Sequence, residues 1–288
     1  MNSLVYNRRV SFIIVAIVYV VAVFVGWGVF AWTVSSIQSQ LWRLFAADVA
    51  ATISVWLWGL VFRNVSVYDP YWSVLPPVMM TIWCFKIGTV NLAGWLLMVA
   101  IWLWGIRLTG NWAYTFKNLA TEDWRYTKYR TEQKPFVFQI INFFGLNMMP
   151  TIVVFLAMIP GIYIIENQSE ANMLTWIGFL FCLTAVTIQF TADTQKHRFS
   201  KSHKGEICKV GLWRHGRHPN YFGEILMWWG VWVMFISINH FTSNFWYIVG
   251  PIAMTALFLF ISIPLMEGRQ MQNKPGYADY KKETRILI

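Results

Sequence analysis

Runs of about twenty apolar residues recur along this chain, and a run of that length is what a helix needs to cross a bilayer. Eight can be read, at residues 10–34, 44–62, 74–87, 92–114, 138–165, 173–191, 221–238 and 245–266. Hydrophobic residues make up 57% of the chain and charged residues 12%, whereas a soluble domain carries about 25% charge. The expected fold is therefore all-α, a polytopic integral membrane bundle of seven or eight transmembrane helices. The first run follows Arg8 and Arg9, exceeds a signal-peptide core and has no small-residue cleavage site, so it reads as a retained helix. The third run is short and holds Pro76 and Pro77, which suits a partial or re-entrant element lining a cavity. The fifth carries Asn142, Asn147, Pro150 and Pro160 and is expected to bend. Many of the 18 Trp fall near the ends of these runs, where indole rings favour the interface.

The net charge of +10 sits in particular loops. Lys117, Arg125, Lys128, Arg130 and Lys134 follow the fourth run. Lys196, Arg198, Lys201, Lys204, Lys209, Arg214 and Arg217 follow the sixth. The tail adds Arg269, Lys274, Lys281, Lys282 and Arg285. Eight spans with both termini inside put nearly all of these on the cytoplasmic side. No separate basic domain exists, so topology and an anionic cofactor explain the charge better than a nucleic acid does. Cys84, Cys182 and Cys208 are scattered, with no Cys/His spacing for a metal and no disulfide framework. No repeat or soluble module interrupts the chain, which is read as one membrane domain over residues 1–288.

Polar residues placed among apolar runs are the candidates for chemistry, because they are costly there unless they have work to do. At the end of the sixth run, Gln189 and Asp193 share a helical face, and Lys196 and His197 lie one turn beyond. A snorkelling helix end explains the basic residues but not Asp193. Around the start of the seventh run come Arg214, His215, Arg217, His218, Asn220, Tyr221 and Glu224. Two Arg and two His suit a phosphorylated cofactor. Pro219 marks a helix start, whose free N–H groups favour an anion. Glu224 lies one turn deeper than Asn220, near the chemistry, where burial is expected to keep a carboxyl protonated and able to donate. In Tyr68-Asp69-Pro70-Tyr71-Trp72, the plain reading is an interfacial turn; the functional one is a carboxylate orienting a phenol that donates to a substrate carbonyl. Arg107, alone in the fourth run, either snorkels or pairs with an acid inside the bundle. His240 reads as structural. The polar tail residues Glu267, Arg269, Gln270, Asn273, Tyr277 and Tyr280 are solvated or fold back over a cofactor.

Three segments together resemble the steroid 5α-reductase superfamily and the related sterol C14-reductases. They are Ala192-Asp193-Thr194-Gln195-Lys196-His197-Arg198-Phe199, residues 211–224 with the core Arg217-His218-Pro219-Asn220-Tyr221, and Pro275-Gly276-Tyr277-Ala278-Asp279-Tyr280-Lys281-Lys282 with Arg285-Ile286-Leu287. The likeness covers about the last 100 residues; the N-terminal half joins mainly through Asp69-Pro70-Tyr71-Trp72. It implies a helical membrane reductase that uses NADPH to reduce the C=C bond of a lipophilic enone of 3-oxo-Δ4-steroid type. Residues 1–115 would form the substrate side and residues 172–288 the cofactor-binding region. Gln189, Asp193, Lys196, His197, Arg214, Arg217, His218, Asn220, Tyr221, Arg269 and Tyr280 would hold the cofactor. Glu224, Asp69 and Tyr71 would be catalytic. The pattern departs at Ser200, where a basic residue is expected, and at Trp104, which aligns with a tyrosine; Tyr71 and Tyr114 are the substitutes for that tyrosine as proton donor.

An Arg-His-Pro-x-Tyr signature also occurs in isoprenylcysteine carboxyl methyltransferases, so an S-adenosylmethionine-dependent lipid methyltransferase is the alternative enzyme. Adenosylmethionine has no phosphate and needs fewer cations than this chain offers. A non-enzymatic lipid-binding protein would leave Asn220 and Glu224 without a role. The expected partners are a steroid- or sterol-like small molecule and membrane lipid, with no metal and no nucleic acid. The chain is expected to act as a monomer in a bacterial inner membrane, with its cofactor site facing the cytoplasm.

Overall fold

A computed structural model of the chain describes residues 4–168, 170–238 and 245–288; His240 lies outside them. Among the described residues every regular element is a helix, and one isolated bridge joins Gly216 and Arg285. Seven helices among the described residues are long and apolar enough to cross a membrane: α1 (Arg8–Trp32), α2 (Gln40–Phe62), α4 (Leu92–Thr115), α6 (Pro135–Asn167), α7 (Met173–Ser202), α8 (Pro219–Ile238) and α9 (Phe245–Asn273). The third apolar run is helix α3 (Tyr71–Ile87), which has 17 residues and is not among the seven. Two short helices are polar: α5 (Trp124–Glu132) and α10 (Tyr277–Glu283). The chain is thus an all-α, multi-pass membrane protein.

Local sequence explains the helix ends. Asn7 caps α1 by accepting from Arg9 N and Val10 N, and Asp123 caps α5. At α7 the side chain of Asn172 accepts from Leu174 N and Thr175 N, while the Thr175 hydroxyl accepts from Asn172 N. Such reciprocal caps satisfy N–H groups that a helix start would otherwise leave orphaned. Where a bend is expected, α6 contains a π-helical stretch, Ile141–Met148. Asn147 Nδ2 donates to Asn142 O (2.7 Å) and Thr151 Oγ1 to Asn147 O (3.0 Å), so side chains engage carbonyls of the distorted stretch.

The chain divides into two compact units. The first is Met1–Pro76 with Leu108–Phe155. In it α1 packs against α2, closely enough at Gly26 that an added Cβ would lie 3.0 Å from Ala47 O. Its core holds Val15, Val18, Ala22, Ala51 and Val55 together with Tyr19, Tyr68 and Tyr71. The buried hydroxyls are partnered: Thr52 with Thr151 (2.9 Å), Tyr68 with Thr151 (2.7 Å), and Tyr19 to Val67 O (2.7 Å). That is what a membrane interior demands of polar groups.

The second unit is Pro77–Arg107 with Leu156–Ile288. Its centre is the α7–α8 pair, joined at three glycines. An added Cβ at Gly178, Gly223 or Gly230 would fall within 2.5–2.7 Å of a facing side-chain or backbone atom. Small residues let membrane helices approach where the hydrophobic effect cannot drive them together. Trp104 of α4 and Trp228 of α8 meet edge to face at 5.1 Å, both fully buried.

Candidate functional site

Helix α7 runs well past the end of its apolar stretch, so Asp193, Lys196 and His197 ride on a continuous helix. Helix α8 starts at Pro219, where a proline costs no hydrogen bond. The turn between them is fixed by Gly211, whose φ of 56° suits glycine. A side chain there would also meet the amide of Gln195, which accepts from Leu212 N (2.9 Å). Trp213 is locked by a bond from its indole to Ala192 O (2.8 Å).

These constraints build a cleft in the second unit. It is lined by Asp193, Lys196, Arg217, His218, Asn220, Tyr221 and Tyr280 from the sequence expectation, joined by Cys208, Trp213, Gln270, Lys274 and Tyr277. Lys196 holds its ammonium 3.9 Å above the Trp213 ring, a cation–π contact. Lys274 donates to Glu206 O (2.6 Å), and burial moves its pKa down. Burial pushes the Tyr277 phenol up to about 12 and raises Tyr280 as well, so both line the cleft as neutral hydroxyls.

Arg217 lines the cleft, and its Nε and Nη1 hold the C-terminal segment. Nε donates to Glu267 Oε1 (2.7 Å), and Nη1 to Lys281 O (2.9 Å) and to Thr284 O. Beside it, backbone bonds from Arg217 N to Arg285 O (2.9 Å) and from His218 N to Ile286 O (3.1 Å) bind the C-terminal segment. Tyr280 donates to Trp213 O (2.6 Å), and Lys281 pairs with Glu267 (2.8 Å). Of the two alternatives for the polar tail, it folds back. His218 donates to Glu267 (3.2 Å) and stacks on Tyr221 at 5.3 Å between ring centres. Burial holds its pKa down at about 4, against the pull of Glu267, so the ring is neutral near pH 7. Among the other expected residues, Arg214 is exposed, while His197 and Arg269 are partly buried; none of the three lines the cleft.

One turn deeper lies a buried polar cluster. Arg107 does not snorkel; it forms a close ion pair with Asp193, which also accepts from Asn220 Nδ2 (3.4 Å). Glu224 is 3% exposed. Its Oε1 accepts from the indoles of Trp104 (2.8 Å) and Trp228 (3.3 Å), and its Oε2 from Gln189 Nε2 (2.8 Å). The cluster therefore hands Glu224 N–H donors on both oxygens. Gly223 makes room for it, since a Cβ there would fall 2.5 Å from Gln189 Cγ.

Asp69 and Tyr71 belong to the first unit, and they do not pair with each other as the sequence suggests. Asp69 accepts from the Tyr126 hydroxyl and faces Arg125 at 3.9 Å. Burial raises its pKa to about 6, with Arg125 and Tyr126 pulling the other way. Tyr71 instead donates to Asp48 Oδ1 (3.3 Å), and both are buried. The reason for the correction is that Tyr71 opens helix α3, so its side chain reaches α2 rather than its own loop. Tyr114 is 56% exposed. Sequence reasoning overlooked Asp48, Glu267 as a buried acceptor, and Trp104 as a donor. For Asp48 a signal existed: an acid in the middle of a membrane run is a functional candidate by default.

The chain belongs to the family described as a protein of unknown function (DUF1295), whose profile matches residues 55–284. It is similar to the uncharacterized protein C594.04c of Schizosaccharomyces pombe, 24% identical over 202 residues, covering 60% of this chain. The match spans 58% of that relative's length. No solved structure matches the chain.

Proposed function

We propose that this member of the DUF1295 family is a membrane-embedded, NADPH-dependent reductase of a C=C bond in a lipophilic enone. The observation that carries the reading is the cleft of the second unit. Two lysine ammoniums, Lys196 and Lys274, stand among the aromatic walls Trp213, Tyr221, Tyr277 and Tyr280. Cations suit phosphates, and flat rings suit a nucleotide base. Asp193 and Asn220 add an acceptor and a donor for ribose hydroxyls. That donor set fits a phosphorylated dinucleotide, and it offers adenosylmethionine more positive charge than it can use. NADPH, when bound, supplies the hydride.

The chain's own residues do the rest. Lys196 and Lys274 neutralise phosphate charge. Arg217 is a positioning residue: by holding Glu267 and the carbonyls of Lys281 and Thr284 it keeps Tyr277 and Tyr280 in the wall. The basic end of α7, with Lys196, Arg198 and Lys201, and Lys204 just beyond it, supports a cleft that opens to the cytoplasm. In the first unit, the Asp48–Tyr71 pair has the chemistry of a proton donor, a carboxyl orienting a phenol. The resemblance to steroid 5α-reductases in residues 192–199, 211–224 and 275–287 points to the same reaction.

The test is thermal denaturation of the purified protein in detergent. NADPH at saturating concentration is expected to raise Tm by several degrees, and S-adenosylmethionine to leave it unchanged. Lys196→Ala and Lys274→Ala are each expected to weaken NADPH binding by about tenfold, the loss of one charge-assisted hydrogen bond of roughly 1.5 kcal/mol. Stabilisation by S-adenosylmethionine and not by NADPH would overturn the reductase reading.

A further inference from the structure

Among the described residues of the second unit, the buried polar atoms without a partner include the Trp232 indole and, in one polar cluster, Arg107 Nε, a donor, and Gln189 Oε1, an acceptor. Both side chains are nine-tenths or more buried, Arg107 at 8% exposure and Gln189 at 0%. An unmade hydrogen bond in such a place costs about 1–3 kcal/mol, so a pair of them calls for a reason. Neither is an accident of side-chain orientation. Gln189 Nε2 is committed to Glu224 Oε2 at 2.8 Å. Turning the amide over would set its oxygen against a carboxyl oxygen that already needs a donor. Arg107 is committed through Nη2 to Asp193, which leaves Nε directed elsewhere. Asp193 stands one helical turn from Gln189 on α7, and the charge of Arg107 also reaches Glu224. The orphaned donor and the orphaned acceptor therefore belong to one cluster with Asp193 and Glu224, and Asp193 and Asn220 of that cluster line the cleft.

We infer that Arg107 and Gln189 recognise a primary carboxamide. Such a group carries one acceptor and one donor on a single flat unit. Its C=O would accept from Arg107 Nε–H, and its NH2 would donate to Gln189 Oε1. Resting on the reading above, this assigns the pair to the carboxamide of a nicotinamide ring. It also makes the pair a device for selecting that ring, because a ligand without the NH2 would leave Gln189 Oε1 unsatisfied. Sites built to hydrogen-bond a ligand reject analogues that lack the group, more strongly than apolar pockets reject a missing methylene.

The experiment uses the full chain in detergent and reads binding by quenching of tryptophan fluorescence. Three probes are titrated: NADP+, its 3-acetylpyridine analogue, which keeps the carbonyl and replaces NH2 by methyl, and 2′,5′-ADP, which lacks the ring. The wild type is expected to bind NADP+ about tenfold more tightly than the acetylpyridine analogue. Gln189→Met is expected to bring NADP+ down to the level of the analogue while leaving the analogue where it was. Arg107→Lys keeps a cation for Asp193 and loses Nε–H, so it is expected to weaken both dinucleotides alike and leave 2′,5′-ADP unchanged. Equal wild-type affinity for NADP+ and the analogue, with 2′,5′-ADP still bound, overturns the carboxamide inference alone and leaves a bound water as the partner of both atoms. Failure of all three probes to bind overturns the cofactor reading itself. Where a variant does not fold, the wild-type comparison of the two dinucleotides decides.

Discussion

At the scale of single residues, Glu224 shows how a membrane interior constrains an acid. Read from sequence, it is a carboxyl that burial keeps protonated and able to donate. In the structure both of its oxygens accept: two indoles reach Oε1 and the Gln189 amide reaches Oε2. Its substitution therefore has two distinguishable costs. Glu224→Ala strands three N–H donors at about 1–3 kcal/mol each when no partner replaces the carboxyl, and is expected to lower Tm by many degrees. Glu224→Gln keeps an oxygen for the indoles but sets NH2 against NH2 at Gln189. That conflict ends if Gln189 turns its amide over, so a near wild-type Tm is expected. Both variants are expected to lose most NADPH oxidation with a hydrophobic enone, the Ala variant more severely. Wild-type turnover in Glu224→Ala would remove Glu224 from the chemistry. The residue types at this site were legible because Arg, His, Asn and Glu stand out in a chain with 12% charge. Their partners were not: Asp48 for Tyr71, Asp193 for Arg107 and Glu267 for Arg217 come from other helices, and lateral neighbours leave no mark on sequence spacing.

At the scale of elements, the apolar runs marked every long helix, because length and continuity are what a bilayer selects. Helix ends were less legible. Helix α7 continues to Ser202 through Asp193, Lys196 and His197, where hydropathy stops but helix propensity does not. Those extra turns carry the cleft's cations, so the site depends on how α7 meets α8. The joint is backbone against side chain. A methyl at Gly223 would lie 2.5 Å from Gln189 Cγ and 2.8 Å from Ala185 O, and a backbone oxygen cannot retreat without parting the helices. Overpacking of this kind costs about 1–3 kcal/mol. Gly223→Ala is expected to lower Tm and weaken nucleotide binding together, since Gln189 moves with it. Gly268→Ala, in α9, is the control. Nothing lies within 4 Å of the added methyl, and replacing glycine in a helix gains up to about 1 kcal/mol. A Tm unchanged or lowered in Gly268→Ala and held in Gly223→Ala would refute this account of the joint.

At the scale of the whole molecule, each compact unit holds one buried group, His218 in one and Asp69 in the other, and the two titrate in opposite senses, a property no apolar run or motif announces. In the second unit His218 is held neutral, with its pKa near 4 against an ordinary 6.5. Between those values the unfolded chain binds a proton that the folded chain refuses. Stability from this residue is therefore present above about pH 6.5 and lost as pH falls toward 4. In the first unit Asp69 has its pKa raised to about 6 from an ordinary 3.8. Between those values the folded chain holds the extra proton, so stability from this residue grows as pH falls from about 6 toward 4. At about 1.4 kcal/mol per pH unit, each shift is worth on the order of 3 kcal/mol, and in wild type the two largely offset between pH 6 and 4. Removing either group exposes the other. His218→Asn is expected to hold or gain Tm relative to wild type as pH drops through this window, and Asp69→Asn to lose Tm more steeply than wild type does. The measurement is Tm in detergent at half-unit steps from pH 7 to pH 4 for the three proteins, read as differences so that titrations common to all cancel. Parallel curves would mean that neither residue changes its protonation on unfolding, and curves displaced in the opposite order would reverse the sign argued for both.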